Sequence, residues 1–215
     1  MPLALGIPTD DEFQVFVPMM FEAMGGRSEF VNAVWPDGHT KEGQEMSVQR
    51  FLFLKQIDPS TRWSKVTDTD TGEILGVAQW NVYEDAKPQE MIVDGPPGTW
   101  KNDDEKEFAQ EIFKSFMEER WKFIRENDLP IIALNIMTVA PKHQYQGVGT
   151  LLQKWGTDLA DKIGATCIVE ATVEGRWLYE KGGFVVQRHH LLEVPQKFQG
   201  RQQQRIFFMT RPRRS

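Results

Sequence analysis

The stretch Val139–Leu152, VAPKHQYQGVGTLL, decides how the chain is read. An apolar run from Ile131 to Val139 has the character of a strand and is broken by Pro141; a polar segment follows, then Gly147 and Gly149, then helical apolar spacing. Such a junction sets the backbone amides of Gln144 to Gly149 at the start of a helix. Unpaired N–H groups and the positive end of the helix dipole together attract phosphate there. The two glycines lack Cβ atoms, so the backbone can bend freely and approach a ligand closely. Two readings follow, a glycine-containing turn that starts a helix or an anion cradle. A Walker loop is excluded because Gly149 is followed by Thr150-Leu151, and a dinucleotide fingerprint because position 152 is Leu.

Composition bounds the rest. A chain of 215 residues with 40% hydrophobic residues and seven tryptophans has enough apolar material for a core, and its length reads as one domain. A net charge of -6 gives no footprint for non-specific nucleic-acid binding, and the basic tail Arg211–Ser215 is too short to supply one. The single cysteine, Cys167, excludes an intrachain disulfide and a cysteine-based zinc site and fits a reducing compartment. No basic leader precedes an apolar core and no run approaches about 18 apolar residues. The expectation is a cytoplasmic protein with no membrane partner and no metal.

Thr9-Asp-Asp-Glu12 has capping-box spacing ahead of Phe13, Phe16, Met20 and Met24. That helix is expected to end at Gly25-Gly26, with a kink or early break at Pro18. A second helix is predicted from about Thr40 to Ile57. A hairpin follows, Trp63 to Thr69 and Ile74 to Tyr83 around Asp70-Thr-Gly-Glu73. The segment from Glu84 to Asn102 reads as a long surface loop, and Asp103 to about Asn127 as a helix with acids in its first turns. Then come a strand at Ile131–Val139, a helix at Val148–Ile163, a strand at Thr166–Thr172, a short helix at Gly175–Lys181, and strands at Phe184–Val194 and Arg205–Thr210. This order predicts an α/β protein, a mixed sheet covered by helices.

Gln144-Tyr-Gln-Gly-Val-Gly149 resembles the Q/R-x-x-G-x-G/A signature of the GCN5-related N-acetyltransferases (GNAT family). Further on, Leu178-Tyr-Glu-Lys-Gly-Gly-Phe184 resembles the family's second signature, L-Y-x-x-x-G-F. The resemblance is specific over Ile131–Phe184; over the first 60 residues only the order of helices is compatible. It implies the GNAT fold of acyl-CoA N-acyltransferases, a mixed, mostly antiparallel sheet splayed in the middle and flanked by helices. Residues 1–215 would form one such domain: 1–102 supply the acceptor-side helices, first hairpin and long loop, and 103–215 the acetyl-CoA-binding core and C-terminal strands. Acetyl-CoA is the implied co-substrate, its pantetheine arm lined by Met137, Thr138 and Val139 and its pyrophosphate held by Gln144, Tyr145, Gln146, Gly147, Val148, Gly149 and Thr150.

The implied reaction is direct acetyl transfer, within a ternary complex, to a primary amine of a small molecule or peptide. Tyr179 stands at the signature tyrosine proposed as the acid that protonates the leaving thiolate; packing beside Phe184 is its structural alternative. Glu170, in the apolar run Cys167–Ala171, is either the base or half of a buried ion pair, because a lone buried carboxylate is costly. His189 and His190 fall on opposite faces of a strand and are weaker candidates for proton relay, and His143 lies beside the cradle. Thr172 replaces the family's usual asparagine and is carried as a coenzyme contact, while Gly175 replaces the usual alanine. The acceptor side would include Phe30, Trp35 and Trp100, as aromatic binding surface or as core. A homodimer is allowed for, and a catalytically silent acyl-CoA-binding module is the alternative function.

Overall fold

The computed structural model describes residues 2–24, 26 and 28–214. Strand β1 (Leu3–Gly6) was not anticipated, since its few residues carry no alternation of their own; it exists by pairing antiparallel with β2 (Thr61–Asp68), Leu3 opposite Asp68. The Glu12 carboxylate accepts the Thr9 amide at 2.7 Å, and one tight turn at Asp10–Glu12 leads into α1 (Phe13–Met24). Pro18 lies inside α1 without ending it. Of the glycine pair expected to end that helix, Gly25 lies outside the described residues and Gly26 has φ +61°. A further unanticipated element is α2 (Glu29–Val34), whose first turn is capped by Ser28, the hydroxyl accepting from the Val31 amide at 3.2 Å.

The remaining elements follow the expected order. They are α3 (Lys41–Ile57), β3 (Ile74–Tyr83), α4 (Asp103–Glu126), β4 (Ile131–Val139), α5 (Val148–Ile163), β5 (Thr166–Ala171), α6 (Arg176–Lys181), β6 (Val185–Leu191) and β7 (Arg205–Arg211). Thr40 caps α3 through a 3.0 Å bond from Gly43, and Asn102 caps α4 through a 2.9 Å bond from Glu105. The seven strands form one sheet in the order β1-β2-β3-β4-β5-β7-β6, antiparallel throughout except for β4 with β5. It is the mixed, helix-flanked α/β sheet that the sequence predicts.

Both faces of the central strands are covered, and β3 is accordingly buried along its whole length, whereas the edge strand β6 is largely exposed. On one face α5 packs across β1 to β5 over a core that includes Leu75, Trp80, Leu134, Leu152 and Met209. On the other, α1 lies over β3 and β4, with Phe13, Phe16 and Trp63 in edge and tilted ring contacts. There α4 covers β5 and β7, and α2 leans on α4. Among the described residues no helix is long and apolar enough to cross a membrane.

Close approach of α5 to β3 depends on Gly156, where a Cβ would meet the buried Trp80 ring at 2.3 Å. The ring is fully buried, so it has nowhere to yield. Gly156→Ala is expected to cost about 1–3 kcal/mol through overpacking, measured as a lower urea midpoint with unchanged slope. An unchanged midpoint would mean that helix and sheet separate there without strain.

Candidate active site

The sheet opens where β4 changes partner. Parallel pairing of β4 with β5 runs only from Ile131 opposite Thr166 to Leu134 opposite Val169. On the other side of β4, Leu134 faces Trp80 and Ile136 faces Gln79, so Asn135 is an extra residue, a β-bulge. From Ile136 onward β4 follows β3 alone. The Ala140 amide donates to the Leu75 carbonyl at 2.9 Å, which fixes the alternation. Backbone groups of Thr138 therefore turn toward β3, and those of Met137 and Val139 toward the opening.

The loop beyond Val139 continues this edge. A short turn at Pro141–His143 leads to Gln144; Tyr145 has φ +61° and Gly147 φ +89° before α5 begins. Gly147 occupies the capping position without a side chain, and the first bond closing the helix runs from the Leu151 amide to the Gly147 carbonyl at 3.1 Å. The amides of Val148, Gly149 and Thr150 are thus left for a ligand or water. Val148 is buried and anchors the helix, whereas Thr150 is exposed. The side chains of Gln144 and Gln146 brace the loop, donating to the carbonyls of Val139 at 3.4 Å and Lys142 at 2.9 Å. At Gly149 a Cβ would lie 3.1 Å from Leu178 of α6, so loop and α6 are packed together.

Tyr179 is buried on α6, its ring edge-on to Phe184 with centroids 5.8 Å apart. Burial, and after it the negative charge of Glu170, raise its hydroxyl above the ordinary tyrosine pKa. Thr172 uses its hydroxyl to accept from the Gly175 amide at 3.1 Å, forming the turn into α6.

Glu170 is half of a buried ion pair. Both its oxygens accept from Arg120 of α4, from Nε at 3.0 Å and from Nη2, and the two side chains are 1% and 2% exposed. Arg120 also donates to the Leu134 carbonyl at 2.7 Å and to the Asn135 side chain. Asn135 in turn donates to Asn81, which donates to Asp58 at 2.8 Å and to Ser60 at 2.6 Å. Tyr83 borders this network; burial pushes its hydroxyl up to about 12, with Arg120 opposing and Asp58 and Glu170 adding to the rise. Arg120, Asn135 and Asn81 were missed in the sequence. The available signal was an arginine on the apolar stripe Met117, Trp121, Ile124, and an asparagine inside an otherwise apolar strand.

The aromatics expected on the acceptor side are largely satisfied internally. Phe30 stacks on Phe116 at 4.1 Å, and Trp100 is 9% exposed with its indole N–H bonded to the Ala33 carbonyl at 2.8 Å. Trp35 stacks on Phe51 at 4.1 Å and carries the Arg50 guanidinium 4.1 Å above its ring, so the cation on that face belongs to the chain itself. A cleft of about 370 Å³ among α1, α2 and α3 is lined by residues such as Phe21, Glu22 and His39 and includes neither Tyr179 nor the glycine loop.

His189 and His190 do fall on opposite faces. The former packs against Phe207, while both ring nitrogens of the latter are buried without a partner in the structure. His143 Nε2 lies 3.6 Å from Glu73. No group of three His, Cys, Asp or Glu side chains suited to a metal occurs among the described residues.

No protein-family model matches the sequence, and no curated protein matches it. Solved structures match over nearly the whole chain. Arylalkylamine N-acetyltransferase 2 from Aedes aegypti aligns at TM-score 0.65 and 15% identity, covering 99% of each chain. An acetyltransferase related to histone acetyltransferase HPA2, from Corynebacterium glutamicum, aligns at 0.61 and 17%, covering 100% of this chain and 98% of that one. A GNAT superfamily phosphinothricin acetyltransferase from Sinorhizobium meliloti, solved in complex with AcCoA, aligns at 0.57 and 13%, covering 99% and 89%. The chain has the fold of the GCN5-related N-acetyltransferases.

Removing one member of the buried pair strands the other. Arg120→Met is expected to destabilise the protein by about 3–5 kcal/mol, and Arg120→Met with Glu170→Leu to recover most of that loss. Denaturant titration of both single variants and the double variant checks this; a double variant as unstable as the sum of the singles would remove the coupling.

Proposed function

We propose that the chain is an acetyl-CoA-dependent N-acetyltransferase acting on a small-molecule primary amine by direct transfer. One observation carries this reading: the open edge of β4 leads, through one short loop, into the uncapped first turn of α5. An extended amide-bearing chain could pair along Met137 and Val139 as an added strand does, and its phosphate end would meet the free amides of Val148, Gly149 and Thr150. Pantetheine attached to pyrophosphate has that sequence of groups. The acetyltransferases of like fold, one with AcCoA bound, support the donor, and those named for arylalkylamines and phosphinothricin support a small acceptor.

Acetyl-CoA supplies a thioester already activated for acyl transfer. The amine nitrogen, neutral once its ammonium proton has left, forms the bond to the acetyl carbon, the carbon–sulfur bond breaks, the thiolate takes a proton from Tyr179, and the proton lost by the acylated nitrogen returns through water to the Tyr179 oxygen. A raised hydroxyl pKa suits that part, because Tyr179 remains protonated across neutral pH. In this reading Glu170 is not the direct base, since Arg120 occupies both its oxygens. It holds negative charge near Tyr179, and the ammonium proton leaves through water. Thr172 shapes the turn ahead of Tyr179, and any contact of its hydroxyl with the coenzyme comes through the hydrogen it still has to donate.

Thr150→Glu and Gly149→Glu both put a negative charge at the cradle, and the first does so at an exposed position where an acid favours the helix. Each is expected to weaken acetyl-CoA binding by more than about tenfold in calorimetric titration; unchanged affinity in Thr150→Glu would remove the cradle.

Tyr179→Phe keeps the ring and should lower kcat by roughly 100-fold with little change in donor affinity. In the wild type kcat should not fall between about pH 7 and 10 through loss of the Tyr179 proton. Full turnover in Tyr179→Phe would sink the acid assignment, and donor binding without thiol release from any amine would favour the silent module.

A further inference from the structure

Two large rings beside the cradle are spent on solvent. Tyr145, within the glycine loop, is 84% exposed, and Trp177, in the first turn of α6, is 40% exposed. Their rings lie 6.0 Å apart by centroid and 13° from parallel, although the elements that carry them are separated in sequence by α5 and β5. Tyr145 holds φ +61°, a conformation unfavourable for a residue with a Cβ. Lys181 completes the group, its ammonium 4.7 Å from the Trp177 centroid. Other basic residues nearby have carboxylate partners: Lys142 with Glu73, Lys154 with Asp158 and Arg176 with Glu180.

We propose that Tyr145, Trp177 and Lys181 form a platform for the adenosine 3′-phosphate end of coenzyme A, an inference that rests on the donor reading above. Tyr145 belongs to the same loop that forms the phosphate cradle, so a nucleotide whose pyrophosphate occupies the cradle has these rings within its path. A purine presents a flat face that stacks on an exposed aromatic ring. Lys181 supplies a point charge for a phosphate monoester beside that ring. Coenzyme A carries adenine and such a phosphate together beyond its pyrophosphate, whereas ATP and NAD lack the 3′-phosphate. The platform therefore selects the donor by the end of the molecule that takes no part in the chemistry.

The test compares acetyl-CoA with acetyl-3′-dephospho-CoA by calorimetric titration of the wild type, Lys181→Gln, Trp177→Ala and Trp177→Phe. All three substitutions are at solvent-facing positions. The wild type should prefer acetyl-CoA by roughly tenfold, a preference that Lys181→Gln erases by weakening acetyl-CoA alone. Trp177→Ala should weaken both donors by roughly tenfold, and Trp177→Phe should retain most of the affinity. The platform is overturned if Lys181→Gln changes both donors equally or neither, or if Trp177→Ala leaves both unchanged. A wild type that binds both donors without preference also overturns it while sparing the cradle. A wild type that binds neither donor overturns the donor reading itself.

Discussion

A strand edge left open in the middle of a sheet is the constraint on which the rest depends. Backbone N–H and C=O groups inside a protein must find partners, yet β4 loses β5 after Leu134 while remaining paired with β3. The bulge at Asn135 accomplishes this: one extra residue bends the strand and re-aims the backbone beyond it. The gap is kept open by what lies on either side of the sheet. On one face α5, seated on Trp80 through Gly156, covers the strands that flank the gap; on the other, α1 holds β3 and β4 while α4 holds β5 and β7. Below the gap the halves are braced together, by α5 on one face and by α4 residues packed on both β4 and β5 on the other.

At the apex of the gap sits the Arg120–Glu170 pair. A buried ion pair is a weak source of stability, since an apolar pair of similar volume often serves as well. Its value here is positional. Arg120 bonds at once to β4 through the Leu134 carbonyl, to the bulge through Asn135 and to the end of β5 through Glu170. It ties the two strands together at the point where they part. It also fixes a negative charge near Tyr179, whose hydroxyl is raised first by burial and then by Glu170.

The parts of this arrangement that were legible in the sequence are those made by backbone. A loop that must offer free amides needs glycine, and Gly147 at φ +89° follows from that need. The buried strands β3, β4 and β5 and the helix α5 announce themselves by apolar runs and periodicity. Elements stabilised by partners far along the chain were not legible: β1 is held by β2, and α2 by its packing on α4. Glu170 looked anomalous in its strand, but its partner is supplied by a helix 50 residues away in the chain. Trp35 and Trp100 read equally as binding surface or as core, because a sequence cannot show that Arg50 lies over one ring and the Ala33 carbonyl accepts from the other.

That difference separates the two sides of the site. β3 and β4 are adjacent in the sheet, yet the chain between them, residues 84–130, makes an excursion over the opposite half of the sheet before returning. Closing a longer loop costs little extra entropy, so such an excursion is tolerated provided that it buries itself, as Val93, Trp100 and the apolar stripe of α4 do. What it brings to the site is side chains, with Arg120 foremost. The proposed donor side rests on a strand edge and a helix start, whose chemistry is the same for any sequence able to adopt them. In the proposed reading an acceptor would be chosen by side chains brought together from distant parts of the chain, which only the fold assembles, while the donor is suggested already by a loop of six residues, Gln144 to Gly149.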